Sequence, residues 1–259
     1  MRMVNGLWSM VSGLRELGLG PGDAVLAHSS LSSFGHVEGG ADVVIDAIIE
    51  AVSPGGTVLF PTLTGSEALS PDNPPVFDVL NTPCWTGKIP ETARKRPGFI
   101  RSCHPTHSVC AFGERAEWFT ESHEFSPTAC GIGSPYDKLV QSGGLILLIG
   151  VTHNSNTTMH YIEEIAGVPW HMQPGTALST IKYADGRIAQ IPVTLHKYGT
   201  PRDFTRLEPE MLAQGIQASG KIGESTVRLV KAREMMELVL YRVREDPGIL
   251  LPEVRTPCA

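Results

Sequence analysis

Past the midpoint of this 259-residue sequence, Thr157-Thr158-Met159-His160-Tyr161-Ile162-Glu163-Glu164 sets carboxylates three and four positions after an imidazole. On a helix those spacings share one face, so Glu163 or Glu164 can hydrogen-bond His160. Histidine titrates near neutrality, at an ordinary pKa of about 6.5, and a carboxylate on its second ring nitrogen fixes the tautomer and steadies the imidazolium. That is the equipment of a general base. A lone His-x-x-Glu is commonly a solvated surface pair, so position has to argue for more. The stretch follows an apolar run, Leu145-Ile146-Leu147-Leu148-Ile149, and a polar loop over 150–156. This order reads as a buried strand, a loop at its carboxyl end and the first turns of a helix, where catalytic groups of α/β folds are mounted. Asn156 is the expected cap, its side-chain oxygen accepting from an amide of the first turn.

The elements that must hold this helix alternate. Apolar spacing predicts a helix over 4–17, ended by Gly18-Leu19-Gly20-Pro21-Gly22, then a buried strand over 23–28, a small-residue loop over 29–35, a helix over 40–52 and a strand over 57–61. Helix and strand in alternation mark a parallel sheet with covering helices. Residues 62–106 are broken by Asp72-Asn73-Pro74-Pro75 and Asn81-Thr82-Pro83, with one short helix over 89–95. So long a Pro-rich excursion is expected to wall a site. A strand over 107–112 and helices over 114–119 and 135–141 lead to the 145–149 strand. Beyond Pro169, 176–183 and 187–195 around Asp185-Gly186 form a hairpin signal, and helices are expected over 208–217 and 226–243. The fold class is α/β: a mixed, largely parallel central sheet with helices on both faces plus an added antiparallel hairpin section. A single domain over 1–259 is expected, its core about 1–168 and its hairpin and helical tail about 169–259.

Composition narrows the partners. A formal net charge of -6 does not suit non-specific nucleic-acid binding and favours cationic ligands. No apolar run approaches the ~20 residues of a membrane span, and the first residues lack a signal-peptide pattern, so a soluble cytoplasmic protein is expected. Five cysteines, Cys84, Cys103, Cys110, Cys130 and Cys258, without a CxxC pair, fit reduced thiols. Cys103 beside His104 is a conceivable nucleophile, inert burial being the plainer expectation.

Five stretches stand in order: His28-Ser29-Ser30-Leu31-Ser32-Ser33-Phe34-Gly35 with Val37-Glu38-Gly39-Gly40-Ala41, Thr82-Pro83, Gly87-Lys88-Ile89-Pro90-Glu91, Arg101-Ser102-x-His104-Pro105-x-His107-Ser108 and the His160 block. Together they resemble the aminoglycoside 3-N-acetyltransferase family, whose fold is distinct from the common GNAT acetyltransferases. Order and spacing agree from about residue 21 to 168. The last third, with His196-x-Tyr198-Gly199-x-x-Arg202-Asp203-Phe204, looks like a divergent branch. The resemblance implies acetyl transfer from acetyl-CoA to the 3-amino group of a deoxystreptamine aminoglycoside. It implies that His160 is the base, that Glu163 belongs to the same catalytic neighbourhood, and that the loop Ser29, Ser30, Leu31 and Ser32 lies against CoA. Arg101 and Ser108 are assigned to the same cofactor, Thr157 and Asp203 to the acceptor, and His28 to support of the substrate or the base.

The chemistry fits those residue types. An amine must lose a proton to attack a thioester, and a thiolate, its acid's pKa about 8.5, is a tolerable leaving group. Neither a metal nor a covalent enzyme intermediate is required. The oxyanion needs donors, expected from amides of the 29–33 loop or hydroxyls of Thr157 or Thr158. Arg94-Lys95-Arg96, near Arg101, could reach the nucleotide phosphates, although such a run is ordinarily a solvated face. His104 and His107 flank Pro105 and read as structural. Competing readings are a metal-dependent hydrolase using His160, Glu163 and some of His28, His104, His107 and His153, for which no HExxH or CxxC spacing is present, a binding module without chemistry, and a biosynthetic N-acetyltransferase for another amine.

Overall fold

The computed structural model describes residues 6–253. In chain order its elements are α1 (Leu7–Glu16), β1 (Ala24–Ser29), α2 (Gly40–Val52), β2 (Thr57–Pro61), β3 (Val76–Asp78), α3 (Lys88–Ala93), β4 (Ile100–Arg101), β5 (Val109–Gly113), α4 (Ala116–Thr120), α5 (Pro135–Gln141), β6 (Leu145–Ile149), α6 (Thr158–Ala166), β7 (Ala177–Lys182), β8 (Ile188–Val193), α7 (Glu208–Ala213), β9 (Gln217–Ile222), β10 (Ser225–Lys231) and α8 (Ala232–Glu245). Val4, where the first helix was expected to start, and Cys258 lie outside the described residues.

A seven-stranded sheet runs in the order β4-β5-β2-β1-β6-β10-β9. Its centre, β2, β1 and β6, is parallel, with Ala27 facing Leu147 and Leu26 facing Leu59. These three strands read as continuous apolar runs because both their faces are covered. Alternation along β1 shows it: Ala24 and Leu26 join a core with α4, α5, α6 and α8, while Val25 and Ala27 join one with α1, α2 and α3. Outside the centre the sheet turns antiparallel, through β5 and β4 at one edge and β10 and β9 at the other.

That second edge departs from the expected tail. The helix expected over 226–243 begins only at Ala232, because Val227 and Leu229 alternate as strand residues against β6. Their spacing also suits a helix, and the two-residue turn at Gly223 (φ 58°) and Glu224, which pairs Ser225 with Ile222, decides between the two. Strand β9, Gln-Ala-Ser-Gly-Lys-Ile, has too few apolar residues to announce itself. The tail therefore completes the central sheet.

The hairpin forms as expected from β7 and β8, and the Pro-rich excursion adds β3 to it, parallel to β7. Phe77, fully buried, anchors this small sheet against Ile181 and Tyr183. Among the described residues no helix is long and apolar enough to cross a membrane.

Candidate active site

Helix α6 starts where the sequence places it. Asn156 Oδ1 accepts from Thr158 N at 3.1 Å, and Gly167 closes the helix in the left-handed conformation (φ 66°). His160 Nδ1 then lies 2.7 Å from Glu163 Oε2, and among the described residues Nε2 makes no hydrogen bond. The Glu163 side chain is inaccessible to solvent, and its other oxygen accepts from Trp170 Nε1 at 3.0 Å and Arg202 Nε at 3.1 Å. Burial by itself would raise this carboxyl; the hydrogen bonds from His160 and His171 prevail and hold it well below the usual carboxylate range. His160 goes below its ordinary value, because burial outweighs the lift from Glu163 and His171 adds to the lowering. At neutral pH the pair is an ionised carboxylate holding a neutral imidazole.

Glu164 serves elsewhere. It accepts from His196 Nε2 at 2.5 Å, from Cys130 N at 3.0 Å and from Thr128 Oγ1. The expectation that either carboxylate could orient His160 is thereby corrected: one helical position turns the side chain from the imidazole to the 128–130 loop. His171, 1% exposed, stacks on His160 with centroids 5.0 Å apart, and its Nδ1 lies 3.1 Å from Glu163 Oε2 and 3.2 Å from Arg202 Nη2. Burial opposes its charge, but the two carboxylates raise its pKa on balance. Phe204 meets the His160 ring edge-on at 5.4 Å.

A cleft of about 580 Å³ opens beside the carboxyl end of β1, lined by Ser29, Ser30, Leu31 and Ser32 on one side and by Gly87 and Lys88 of the excursion on the other. The first residue of α2, Gly40, also borders it, its own amide donated to Val37 O at 3.0 Å. Within the serine loop, Ser30 N donates to Ile149 O and Ser33 N to Ser30 O, so these two amides are already used. His28, one residue before the loop, is 4% exposed, and burial together with His153 and His160 brings its pKa down to about 3. It is neutral at any working pH and no substitute for His160 as base.

Other expected site residues lie apart from this cleft. The Arg101 guanidinium is buried and donates to the carbonyls of Thr62, Val79 and Thr82 and to the hydroxyls of Thr62 and Ser108, while Ser108 Oγ donates to Thr62 O. Arg101, in β4, and Ser108, just before β5, both bond to residues of the excursion, and neither is part of the cleft lining. The basic run is paired as well, Arg94 and Lys95 with Glu91, Arg96 with Asp46. Asp203 folds back on Thr205, accepting from its amide at 3.1 Å and its hydroxyl at 2.5 Å. Thr157 is buried at the start of α6. His104, His107, His123 and His196 form a buried run of imidazoles, all lowered first by burial. Burial pushes the Cys103 thiol up to about 12, which disarms it as a nucleophile. Among the described residues three trios of potential cation donors lie within 4.8 Å of one another: His160 with Glu163 and His171, Glu164 with His171 and His196, and His107 with Cys130 and His196. Members of each are already engaged, His160 by Glu163, His196 by Glu164 and His107 by Thr106.

Compared with known proteins, the chain matches the profile of the aminoglycoside 3-N-acetyltransferases over residues 26–243, from β1 to the end of the α8 packing face. It belongs to that family. The resemblance read from the motifs is thus borne out, and the match includes the last third, with Arg202. Aminoglycoside N(3)-acetyltransferase III of Salmonella sp is 37% identical over 177 residues, a stretch covering 62% of this chain and 61% of that relative. Aminoglycoside N(3)-acetyltransferase IV of Salmonella sp is 28% identical over 244 residues, covering 93% and 88%. Among solved structures, a histidine-to-alanine mutant of aminoglycoside acetyltransferase AAC(3)-IVa in complex with a gentamicin superposes with a TM-score of 0.82 at 27% identity, covering 100% of this chain and 96% of that one. AAC-IIIb in a binary complex with CoASH gives 0.79 at 28%, covering 93% and 96%.

Within this family member, Arg202, Trp170 and His171 are the site residues that sequence reasoning missed as such. Arg202 stood in a quoted motif, but 39 residues separate it from Glu163 and no periodicity links them. A buried acid three positions after a histidine demands counter-charges, and only the fold says which.

Proposed function

We propose that this protein transfers an acetyl group from acetyl-CoA to the 3-amino group of deoxystreptamine aminoglycosides, by direct transfer with His160 as general base. The 2.7 Å contact between His160 Nδ1 and the buried Glu163 carboxylate carries the assignment, because it leaves the neutral Nε2 as the proton acceptor. Family membership supports the reaction, the relative solved with CoASH supports the donor, and the relative solved with a gentamicin supports the acceptor class. The net charge of -6 favours capture of a polycation.

In this reading the cleft over Ser29 to Ser32 takes CoA, and Lys88 faces its phosphates. The acceptor amine attacks the thioester carbonyl carbon, His160 Nε2 takes the amine proton, and Glu163 stabilises the imidazolium that results. That proton leaves with the CoA thiolate as thiol. Acetylation of a drug in the cytoplasm would make this a resistance activity. An acceptor panel assayed by thiol release tests the reading, with mass spectrometry of the product. One acetyl group on the 3-amine is expected; no turnover with any aminoglycoside would remove the acceptor assignment.

A further inference from the structure

His28 is a buried imidazole whose Nε2 is sealed from solvent and has no hydrogen-bond partner among the described residues. Buried polar groups are nearly always satisfied, and an orphan needs a reason. Its neighbour Ser29 has an orphaned hydroxyl too. Both stand at the carboxyl end of β1, where the main chain pairs with Leu148 and Ile149.

Strand alternation places these two side chains on opposite faces of the sheet. Ser29 points to the side of Val25 and Ala27 and lines the cleft. His28 points to the side of Ala24 and Leu26, the face covered by α6, which carries His160. His28 thus adjoins the cleft residue Ser29 along the strand and faces the layer that carries His160, whose charge acts on it; a thioester that enters over Ser29 and reacts beside His160 passes this strand end. The titratable groups acting on it are His153 and His160, and a neutral ring there offers one N–H. Few other donors are at hand: Ser30 N and Ser33 N are engaged within the loop and strand, and Thr158 N is held by Asn156.

We propose that His28 donates a hydrogen bond to the carbonyl oxygen of the acetyl group during transfer. This rests on the acetyl-transfer reading above. As the amine nitrogen bonds to the carbonyl carbon, the C=O π pair moves onto oxygen, where the His28 N–H holds it. Collapse restores C=O, breaks the C–S bond and releases the thiolate, which takes the proton carried by His160. His28 keeps its own proton throughout.

Isotope-edited infrared spectroscopy of enzyme-bound acetyl-CoA, labelled with carbon-13 at the carbonyl and without acceptor, reads this contact directly. The carbonyl band is expected at lower frequency in the wild type than in His28→Leu; the same frequency in both would overturn the proposal. His28→Leu should lower kcat by about a hundredfold, the scale of one lost oxyanion donor, with acetyl-CoA affinity within about twofold. His28→Gln, which keeps an N–H, should recover at least about tenfold of that loss. Because leucine removes an orphaned polar group from an apolar face, His28→Leu should melt no lower than the wild type. If it does not fold, the band in His28→Gln decides, and a position matching free acetyl-CoA overturns the idea. His160→Ala separates the two claims: it should lower turnover by about a hundredfold or more while leaving the shifted band. Normal turnover in His160→Ala would sink the base assignment and leave the band to judge His28. Failure to bind acetyl-CoA would remove both.

Discussion

His160 Nδ1 and Glu163 Oε2 are 2.7 Å apart, and the carboxylate in this contact is inaccessible while the imidazole it holds is 27% exposed. The buried partner fixes the ring, and the exposed edge is left for a substrate. Orientation and access are divided between two residues one helical turn apart.

His160→Ala should therefore lower turnover by about a hundredfold or more, the usual scale for a lost general base, with acetyl-CoA affinity little changed. With its pKa below 6.5, His160 is unprotonated at neutrality, so turnover should fall with acid only as pH drops through a value under 6.5. A plateau continuing to pH 5 in His160→Ala but not in wild type would confirm the group that titrates.

Glu163→Gln should be severe in both activity and stability, since Glu164 is committed to His196 and the 128–130 loop. An amide cannot accept from His160, Trp170 and Arg202 together. Leaving Arg202 without its anion should cost about 3–5 kcal/mol, the range for a broken buried ion pair. Urea denaturation of the variant measures it, and a loss under 1 kcal/mol would mean that Arg202 finds another partner.

Stability should fall steeply with acid. The folded pKa values of His28, His104, His107, His123 and His196 all lie below 6.5, mainly through burial. Below pH 6.5 the unfolded chain therefore binds protons that the folded chain refuses, and stability declines as pH falls. Each such histidine adds up to about 1.4 kcal/mol per pH unit, while His171, raised when folded, works in the opposite direction. The full contribution is present above pH 6.5. Denaturant midpoints from pH 7.5 to 5 should show this slope; a flat profile would contradict the burial of the imidazole run.

Arg101→Lys should behave as a structural lesion. The guanidinium satisfies three buried carbonyls and two hydroxyls that an ammonium cannot reach together, so several kcal/mol should be lost. Among molecules that remain folded, acetyl-CoA affinity should be unchanged. Lys88→Ala should do the reverse, raising KM for acetyl-CoA with stability unaltered.

What the sequence made legible follows from local physics. Strands β1, β2 and β6 were visible as apolar runs because they are covered on both faces, and the His160 helix because loop, cap and spacing all lie within 20 residues. Strand β9 was not, since its register comes from β10 and not from its own residues. The same holds at the site. His160 and Glu163 are neighbours on a helix, but Arg202 reaches Glu163 across the tail, and Arg101 looked like a phosphate ligand until its five acceptors were seen. A basic residue's partner is a tertiary fact.

The small sheet has a consequence for how this protein comes into being. Strand β3 at residues 76–78 pairs with β7 at 177–182, about a hundred residues later in synthesis. The excursion that carries Lys88 is thus made well before it is anchored, since the strand that secures it begins only at Ala177. Contacts so distant in sequence are slow to close. A nascent chain stopped before residue 177 would hold His160 and Glu163 yet have an unsecured wall, with Phe77 lacking Ile181 to bury it. The site wall in this fold is secured only once β7 has been made, well after His160 and Glu163.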